Sequence, residues 1–156
     1  MSGWRMSGSR PTWPDHWMNA ARLAAEMSTC AGGREVGAVA VRDNVLLTSG
    51  VNGVPSGAPH PEECQRRKLG YPSGEALHLC GCEHAETNLI CNAAAVGVSL
   101  SGATVYVTSS PCSGCLGRLR RAKVAKVVFL DPYPDRDAEL MAGYVGIDIL
   151  RIGGAK

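Results

Sequence analysis

The order of hydrophobic and polar residues in the first third of the chain predicts a helix followed by a hairpin. Apolar side chains at helical spacing indicate a helix that opens at Pro14 and ends near 28–33, where paired glycines break the pattern. Two segments of small and β-branched residues follow at 36–41 and 45–51. The Asp-Asn pair at 43–44 favours a tight turn, so we expect these strands to pair antiparallel.

The second half of the chain alternates strand patterns with helix patterns. This spacing is typical of βαβ units, whose strands run parallel and whose helices cover the sheet. The predicted fold class is therefore α/β, a three-layer α/β/α arrangement with a mixed central sheet. The predicted helices cover 84–96, 113–122 and 137–144, and the predicted strands cover 104–108, 126–130 and 147–152.

Neither pattern continues through 52–83. Four prolines and a charged run at 62–68 interrupt this stretch, and loops of such length are uncommon in compact domains unless they are functional or cross-linked. We expect an insertion within a single domain that covers 14–156. The polar, glycine- and serine-rich residues 1–13 predict a flexible N-terminal arm.

Composition narrows the classes of function. The 156 residues carry 16 Lys and Arg against 14 Asp and Glu, a net charge of +2, which is too small for a nucleic-acid-coating or membrane-surface protein. No apolar run approaches the roughly 20 residues of a membrane-spanning helix, and the first residues lack the apolar centre of a secretory signal. We therefore expect a cytoplasmic protein with no nucleic-acid or membrane partner.

The seven cysteines are an outlying number, and an odd count without an export signal favours metal ligation over disulfides. The clearest metal-binding pattern is a His-Ala-Glu motif at 84–86 followed by a Pro-Cys-Ser-Gly-Cys motif at 111–115. His84, Cys112 and Cys115 can bind Zn²⁺ and leave its fourth tetrahedral position to water. The nearby Glu86 can then move protons for that water. The alternative is a structural zinc knuckle in which Glu86 is a solvated residue.

With these motifs the chain resembles the deoxycytidylate (dCMP) deaminases of the cytidine-deaminase superfamily, from about residue 17 to residue 149. The matching segments are 36–39, 50–57, 72–75, Cys80, 84–88, 102–108, 111–115 and 127–128. The resemblance implies a cytidine-deaminase-like fold and hydrolysis of dCMP to dUMP and ammonia, which supplies dUMP for thymidylate synthesis. Zinc-activated water would attack C4 of the pyrimidine while Glu86 protonates N3.

The same resemblance implies a set of substrate-binding residues: Ala38, Asn52, Ser110, Pro111 and Tyr133. Backbone groups near Ala38 and next to Cys112 would read the base edge, and Asn52 would bind the sugar hydroxyl. The alternative for Asn52 is a turn residue, and the alternative for Tyr133 is ordinary packing. Relatives often carry a phosphate-binding arginine where this chain has Met27, so the candidates here are Arg22, Arg34 and Arg136.

The resemblance also implies a second, structural zinc, in addition to the catalytic one. Three thiols align with cysteines that relatives use to tie the insertion to the first helix: Cys30, Cys64 and Cys80. Relatives often have His-Cys where this chain has His60-Pro61, so His60 would supply the fourth ligand, with Cys82 as the competing candidate. The alternative is a set of free thiols. Cys91 is predicted to be a small core residue.

Three other functions remain open at this point. The substrate could be another cytosine nucleotide, namely 5-substituted dCMP or dCTP. The chain could be a nucleobase deaminase or a tRNA deaminase, of which the small net charge disfavours the tRNA enzyme. It could also be a non-catalytic zinc module, which Glu86 disfavours. The resemblance further implies a homo-oligomer, a hexamer, with dCTP and dTTP as effectors that act through 52–57.

Overall fold

A computed structural model of the chain describes residues 10–135 and 137–153. The strands are β1 (Gly37–Arg42), β2 (Val45–Val51), β3 (Thr104–Ser109), β4 (Lys126–Asp131) and β5 (Asp148–Arg151). The helices are α1 (Trp13–Ala25), α2 (Gln65–Lys68), α3 (Ala85–Ala95), α4 (Ser113–Arg121) and α5 (Ala138–Val145), with a 3-10 turn at Leu77–Leu79. Within the described ranges, no helix is both long enough and apolar enough to cross a bilayer.

The predicted strands and the predicted helices after the insertion are confirmed to within one residue at each end. The first helix ends earlier than predicted, at Ala25. It begins at Trp13 because the hydroxyl group of Thr12 accepts a hydrogen bond from the backbone N–H of Asp15, the usual arrangement at a helix N-terminus. Residues 1–9 of the predicted arm lie outside the described residues.

The five strands form one mixed sheet in the order β2-β1-β3-β4-β5. β1 runs antiparallel to β2 and β3, whereas β3, β4 and β5 run parallel to one another. The hairpin turn places both Asp43 and Asn44 at positive φ, 52° and 56°, which matches the twist that a two-residue turn needs between paired strands. The predicted hairpin and mixed sheet are confirmed.

Helices cover both faces of this sheet. On one face α1 packs Trp17 and Met18 against Val39, Tyr106 and neighbouring side chains. On the other face α3, α4 and α5 form the larger core, with buried residues that include Leu89, Leu116, Leu119, Val105 and Ala142. The sheet therefore lies between two helical layers, and the predicted three-layer α/β/α architecture is confirmed.

The helix α3 differs from the prediction in the placement of Cys91. Its buried residues are Ala85, Glu86, Leu89 and Ala93, which share one side of a 3.6-residue period. Cys91 lies on the other side of the helix and is exposed. The prediction of Cys91 as a core residue is therefore wrong.

Gly50 on β2 allows α3 to lie close to the sheet. A Cβ atom at this position would overlap the carbonyl oxygen of Ala85 and the backbone nitrogen of Leu89. Because both atoms belong to the backbone of α3, Gly50→Ala should push the helix off the sheet, together with His84 and Glu86. We expect urea denaturation to show a loss of about 1–3 kcal/mol in the free energy of unfolding.

Gly117 in α4 provides a matched control for that substitution. A Cβ atom there would meet no heavy atom of the described residues within 4 Å. Alanine stabilises a helix interior by about 1 kcal/mol relative to glycine, so Gly117→Ala should unfold at the same or a higher urea concentration. A Gly50→Ala variant as stable as the wild type would contradict the close packing of α3 on β2.

Candidate active site

The three predicted zinc ligands converge at the N-terminal ends of two helices. His84 is the N-cap of α3, Cys112 is the N-cap of α4, and Cys115 lies in the first turn of α4. The Sγ atoms of Cys112 and Cys115 each lie 3.5 Å from Nδ1 of His84. A tetrahedral zinc ion with these ligands needs nitrogen–sulfur separations of about 3.6 Å. The three donor atoms therefore fit a zinc ion with one position left for another ligand.

The charges around these donors also favour a bound cation. Hydrogen bonding with Cys115, together with His84, lowers the pKa of Cys112 to about 4, and the N-terminus of α4 adds partial positive charge. The interaction with Cys112 and burial raise the pKa of Cys115, because two adjacent buried thiolates repel each other. A divalent cation between them would remove that repulsion and stabilise both thiolates.

Glu86 is a buried carboxyl group next to this donor set. The residue is 3% exposed, and burial raises the pKa of its carboxyl group, which its own backbone N–H and the charge of His84 partly oppose. Glu86 lines the same cavity as His84 and Cys112. It is not one of the three clustered donors, so its carboxyl group is available to exchange protons with a water molecule in the cavity.

A cavity of about 320 Å³ opens beside these residues, a volume within the usual range of small-molecule sites. Three of the predicted substrate-binding residues line it, namely Asn52, Ser110 and Tyr133. Ala38 and Pro111 are not among the described residues that line it. Ala38 is paired within the sheet on both sides, and Pro111 is fully buried.

The family follows from comparison with known proteins. Residues 11–131 match the family described as the cytidine and deoxycytidylate deaminase zinc-binding region. The chain belongs to this deaminase family.

Two relatives and one solved structure give the degree of similarity. The deoxycytidylate deaminase of Mycobacterium phage D29 is 36% identical over 130 residues, which cover 78% of this chain and 96% of the phage protein. The deoxycytidylate deaminase of Schizosaccharomyces pombe is 35% identical over 126 residues, so the chain spans 38% of that longer protein. The crystal structure of dCMP deaminase from cyanophage S-TIM5 in complex with dCMP and dUMP matches 93% of this chain, with 27% identity and a TM-score of 0.76.

Within this deaminase fold, the Asn52 side chain ties the end of β2 to the loop between α1 and β1. Its Oδ1 atom accepts hydrogen bonds from Ser28 Oγ and from the backbone N–H of Val36, both at 2.8 Å. Its Nδ2 atom donates to the carbonyl oxygen of Arg34 at 2.7 Å. Asn52 therefore positions one wall of the cavity, and the predicted contact with the sugar stays a prediction.

The loop between β4 and α5 contributes Tyr133 to the lining of the cavity. The ring of Tyr133 lies edge-on to His84, with 6.0 Å between ring centroids, and its backbone N–H donates to Ser110 Oγ. Asp135 accepts a hydrogen bond from the backbone N–H of Ser113 at 2.7 Å. The loop is therefore attached to the first turn of α4, beside the zinc-ligand candidates. Sequence reasoning missed Asp135, because no local pattern marks a cap supplied by a distant loop.

Of the three arginines predicted to bind phosphate, the structure places one at the cavity. Arg34 lines the cavity, Arg22 is exposed on α1, and Arg136 lies outside the described residues. Two further arginines, Arg66 and Arg67, line the cavity from the insertion and were missed. The charged run in the insertion was the sequence signal that could have pointed to them.

A second thiol cluster joins the insertion to the segment after α1. The Sγ atoms of Cys30, Cys80 and Cys82 lie within 4.8 Å of one another, and the Sγ of Cys64 lies 3.8 Å from that of Cys80. Sulfur–sulfur separations of about 3.8 Å are those of four thiolates around one zinc ion. His60 is exposed and is absent from this cluster of described residues, so the structure places Cys82 where the sequence led us to expect His60.

A short backbone pairing explains why Cys82 reaches the cluster. Gly53 and Glu83 form an antiparallel bridge with hydrogen bonds of 3.1 and 2.8 Å, which brings Cys82 next to Thr29, the residue before Cys30. Burial and the neighbouring Cys30 raise the pKa of Cys82 to about 12. The Cys82 thiol therefore resists ionisation until a cation compensates its charge.

Proposed function

We propose that the protein catalyses the zinc-dependent hydrolytic deamination of dCMP to dUMP and ammonia. The observation that carries this proposal is the buried Glu86 beside the His84, Cys112 and Cys115 donors. Glu86, His84 and Cys112 line one cavity. A structural zinc site has no use for a buried carboxyl group that does not ligate, because burying it costs free energy. The dCMP and dUMP in the S-TIM5 structure and the name of the D29 relative support the choice of substrate.

The residues of the site divide the chemical work between them. His84, Cys112 and Cys115 would hold the zinc ion, which when bound lowers the pKa of a water molecule so that it can act as a nucleophile near neutral pH. Glu86 takes a proton from the attacking water and passes it to N3 of the pyrimidine ring. The same carboxylate then takes the second proton of the water, from the hydroxyl group now at C4, and transfers it to the amine. The C4–N4 bond breaks, so dCMP and water become dUMP and ammonia.

A panel of substrates tests this proposal. We expect ammonia release, followed by the ultraviolet change at the pyrimidine, to be fastest with dCMP and slower with deoxycytidine, CMP, dCTP and 5-methyl-dCMP. Faster ammonia release from 5-methyl-dCMP or dCTP than from dCMP would identify that nucleotide, rather than dCMP, as the substrate. Absence of ammonia release from every compound, with the zinc-loaded protein, would contradict a cytosine-nucleotide deaminase.

We propose that a second zinc ion binds to Cys30, Cys64, Cys80 and Cys82. The mutual closeness of Cys30, Cys80 and Cys82 supports three of these ligands, and the 3.8 Å between the Sγ atoms of Cys64 and Cys80 supports the fourth. The insertion needs such a link, because it has only one short helix and one 3-10 turn and little apolar surface to pay for its ordering. The second zinc would anchor the wall of the cavity that Arg66 and Arg67 form.

We also propose a cytoplasmic homo-oligomer, a hexamer, with dCTP and dTTP as effectors that act through 52–57. Large apolar side chains that remain exposed on the single chain support contacts between subunits. These include Leu23, Met27, Val45, Leu140 and Tyr144.

A further inference from the structure

Arg66 is a charged side chain buried within the insertion. It lies on α2 and is 8% exposed, whereas its neighbours Arg67 and Lys68 are exposed. A guanidinium group keeps its charge throughout the physiological pH range, and burying an uncompensated charge is costly. The position of Arg66 therefore calls for a negatively charged partner.

The described residues compensate this charge only in part. The Nη1 atom donates to the carbonyl oxygens of Tyr71 and Pro72. The Nε atom is buried and has no hydrogen-bond partner within residues 10–135 and 137–153. The ion pairs found in those ranges do not include Arg66. A buried N–H donor without an acceptor costs free energy unless a ligand supplies the acceptor.

Arg66 faces the cavity that holds the proposed reaction centre. It lines that cavity together with Ser73, Tyr133, His84 and Glu86. Burial raises the pKa of Tyr133, and the charge of Arg66 partly opposes this rise, so the two groups lie within electrostatic range of each other. The guanidinium group and the base-binding part of the cavity therefore belong to one connected space.

We propose that Arg66, with the hydroxyl group of Ser73, binds the 5′-phosphate of the substrate nucleotide. This inference rests on the proposed function, because it assumes that the base of the nucleotide lies at His84 and Glu86. A guanidinium group presents its N–H donors in a planar fork that matches phosphate oxygens, and Nε is the donor that still lacks an acceptor. The phosphate would also neutralise the buried charge.

The other arginines of the cavity are less suited to this role. Arg34 is exposed, and its Nη1 atom donates to Ser109 Oγ and to the carbonyl oxygen of Pro132 at 3.0 and 3.2 Å. It therefore attaches the loop after α1 to the ends of β3 and β4. Arg67 is exposed, so water already solvates its charge.

A different role for Arg66 would be to compensate the thiol cluster. Burial opposes ionisation of Cys64, but backbone N–H groups and the charge of Arg66 lower the pKa of this thiol. If this were the main role of Arg66, its removal would release zinc and weaken every reaction of the enzyme equally. Phosphate binding instead predicts a loss that depends on the substrate.

The test compares Arg66→Gln, Arg66→Lys and the matched control Lys68→Gln in the zinc-loaded enzyme. Lys68 is a cation on the same helix that forms a surface ion pair with Glu63. We expect Arg66→Gln to lower kcat/KM for dCMP by about 10- to 100-fold, the loss typical of a charged hydrogen bond. With deoxycytidine, which has no phosphate, kcat/KM should change by less than about twofold. Arg66→Lys should recover part of the loss, and Lys68→Gln should match the wild type with both substrates.

Two outcomes would overturn the phosphate site. One is an equal loss with dCMP and deoxycytidine, accompanied by lower zinc content. The other is a dCMP-specific loss in Arg34→Gln that is missing in Arg66→Gln.

Product binding separates this inference from the proposed function. Thermal shifts with dUMP and deoxyuridine report binding without turnover. A wild type that deaminates no cytosine nucleotide would overturn the function. The phosphate site would still stand if Arg66→Gln weakened binding of dUMP but not of deoxyuridine, and it would fall if both compounds bound unchanged.

Discussion

Replacing Glu86 with glutamine should reduce ammonia release from dCMP by about 10²- to 10⁴-fold while the fold and the zinc content persist. Glutamine keeps the shape of the side chain but cannot take a proton from water. The zinc-ligand candidates His84, Cys112 and Cys115 are unchanged in this variant. Steady-state kinetics with saturating dCMP and atomic emission of zinc measure the two quantities.

The pH dependence of the wild type gives a second measurement of the same group. The reaction needs Glu86 in its ionised form to accept a proton, and burial raises the pKa of this carboxyl group above its ordinary value of 4.5. We therefore expect kcat/KM to fall as the pH drops through that raised pKa. The exposed Glu62→Gln is the control and should keep both the rate and the pH profile of the wild type.

The raised pKa of Glu86 also has a consequence for stability. A folded-state pKa above the unfolded value favours folding through the protonated form, and this contribution is lost as the pH rises through the folded-state pKa. The neutral glutamine of Glu86→Gln escapes that loss. The melting temperature of Glu86→Gln minus that of the wild type should therefore increase from pH 4 to pH 8. Full turnover in Glu86→Gln would contradict the proposed mechanism.

Replacing Cys82 with serine should lower the zinc content from two ions per chain to one and destabilise the insertion. Structural zinc sites with thiolate ligands contribute on the order of 10 kcal/mol to folding of the segment that they hold. Zinc content by atomic emission and the rate of limited proteolysis within 52–83 are the measurements. The insertion should be cleaved much faster in this variant than in the wild type.

His60→Ala and Cys91→Ser serve as controls for the second zinc. Both residues are exposed, and neither is among the described residues of the thiol cluster, so both variants should keep two zinc ions and the proteolysis rate of the wild type. If His60→Ala lost one zinc ion while Cys82→Ser kept two, histidine would be the fourth ligand. One zinc ion per chain in the wild type would refute the second site.

Local patterns account for most of the fold and for the catalytic donor set. The hairpin follows from two residues that tolerate positive φ, Asp43 and Asn44, and the later strands and helices follow from hydrophobic period. Cys112 and Cys115 are three residues apart at the start of a helix, so local geometry turns both thiols towards one point. The sequence also predicted that a helix begins at His84, and the structure has His84 as the N-cap of α3.

The sequence by itself determined the fold class, the deaminase resemblance and the three donors next to Glu86, because each depends on spacing within one or two elements. Only the tertiary structure decided that Cys82 joins the thiol cluster, that Cys91 is exposed and that Arg66 is buried against the cavity. The insertion has no hydrophobic period from which the direction of a side chain can be read. Its contacts depend on where the Gly53–Glu83 bridge and the segment after α1 meet in space, and that meeting involves residues far apart in the chain.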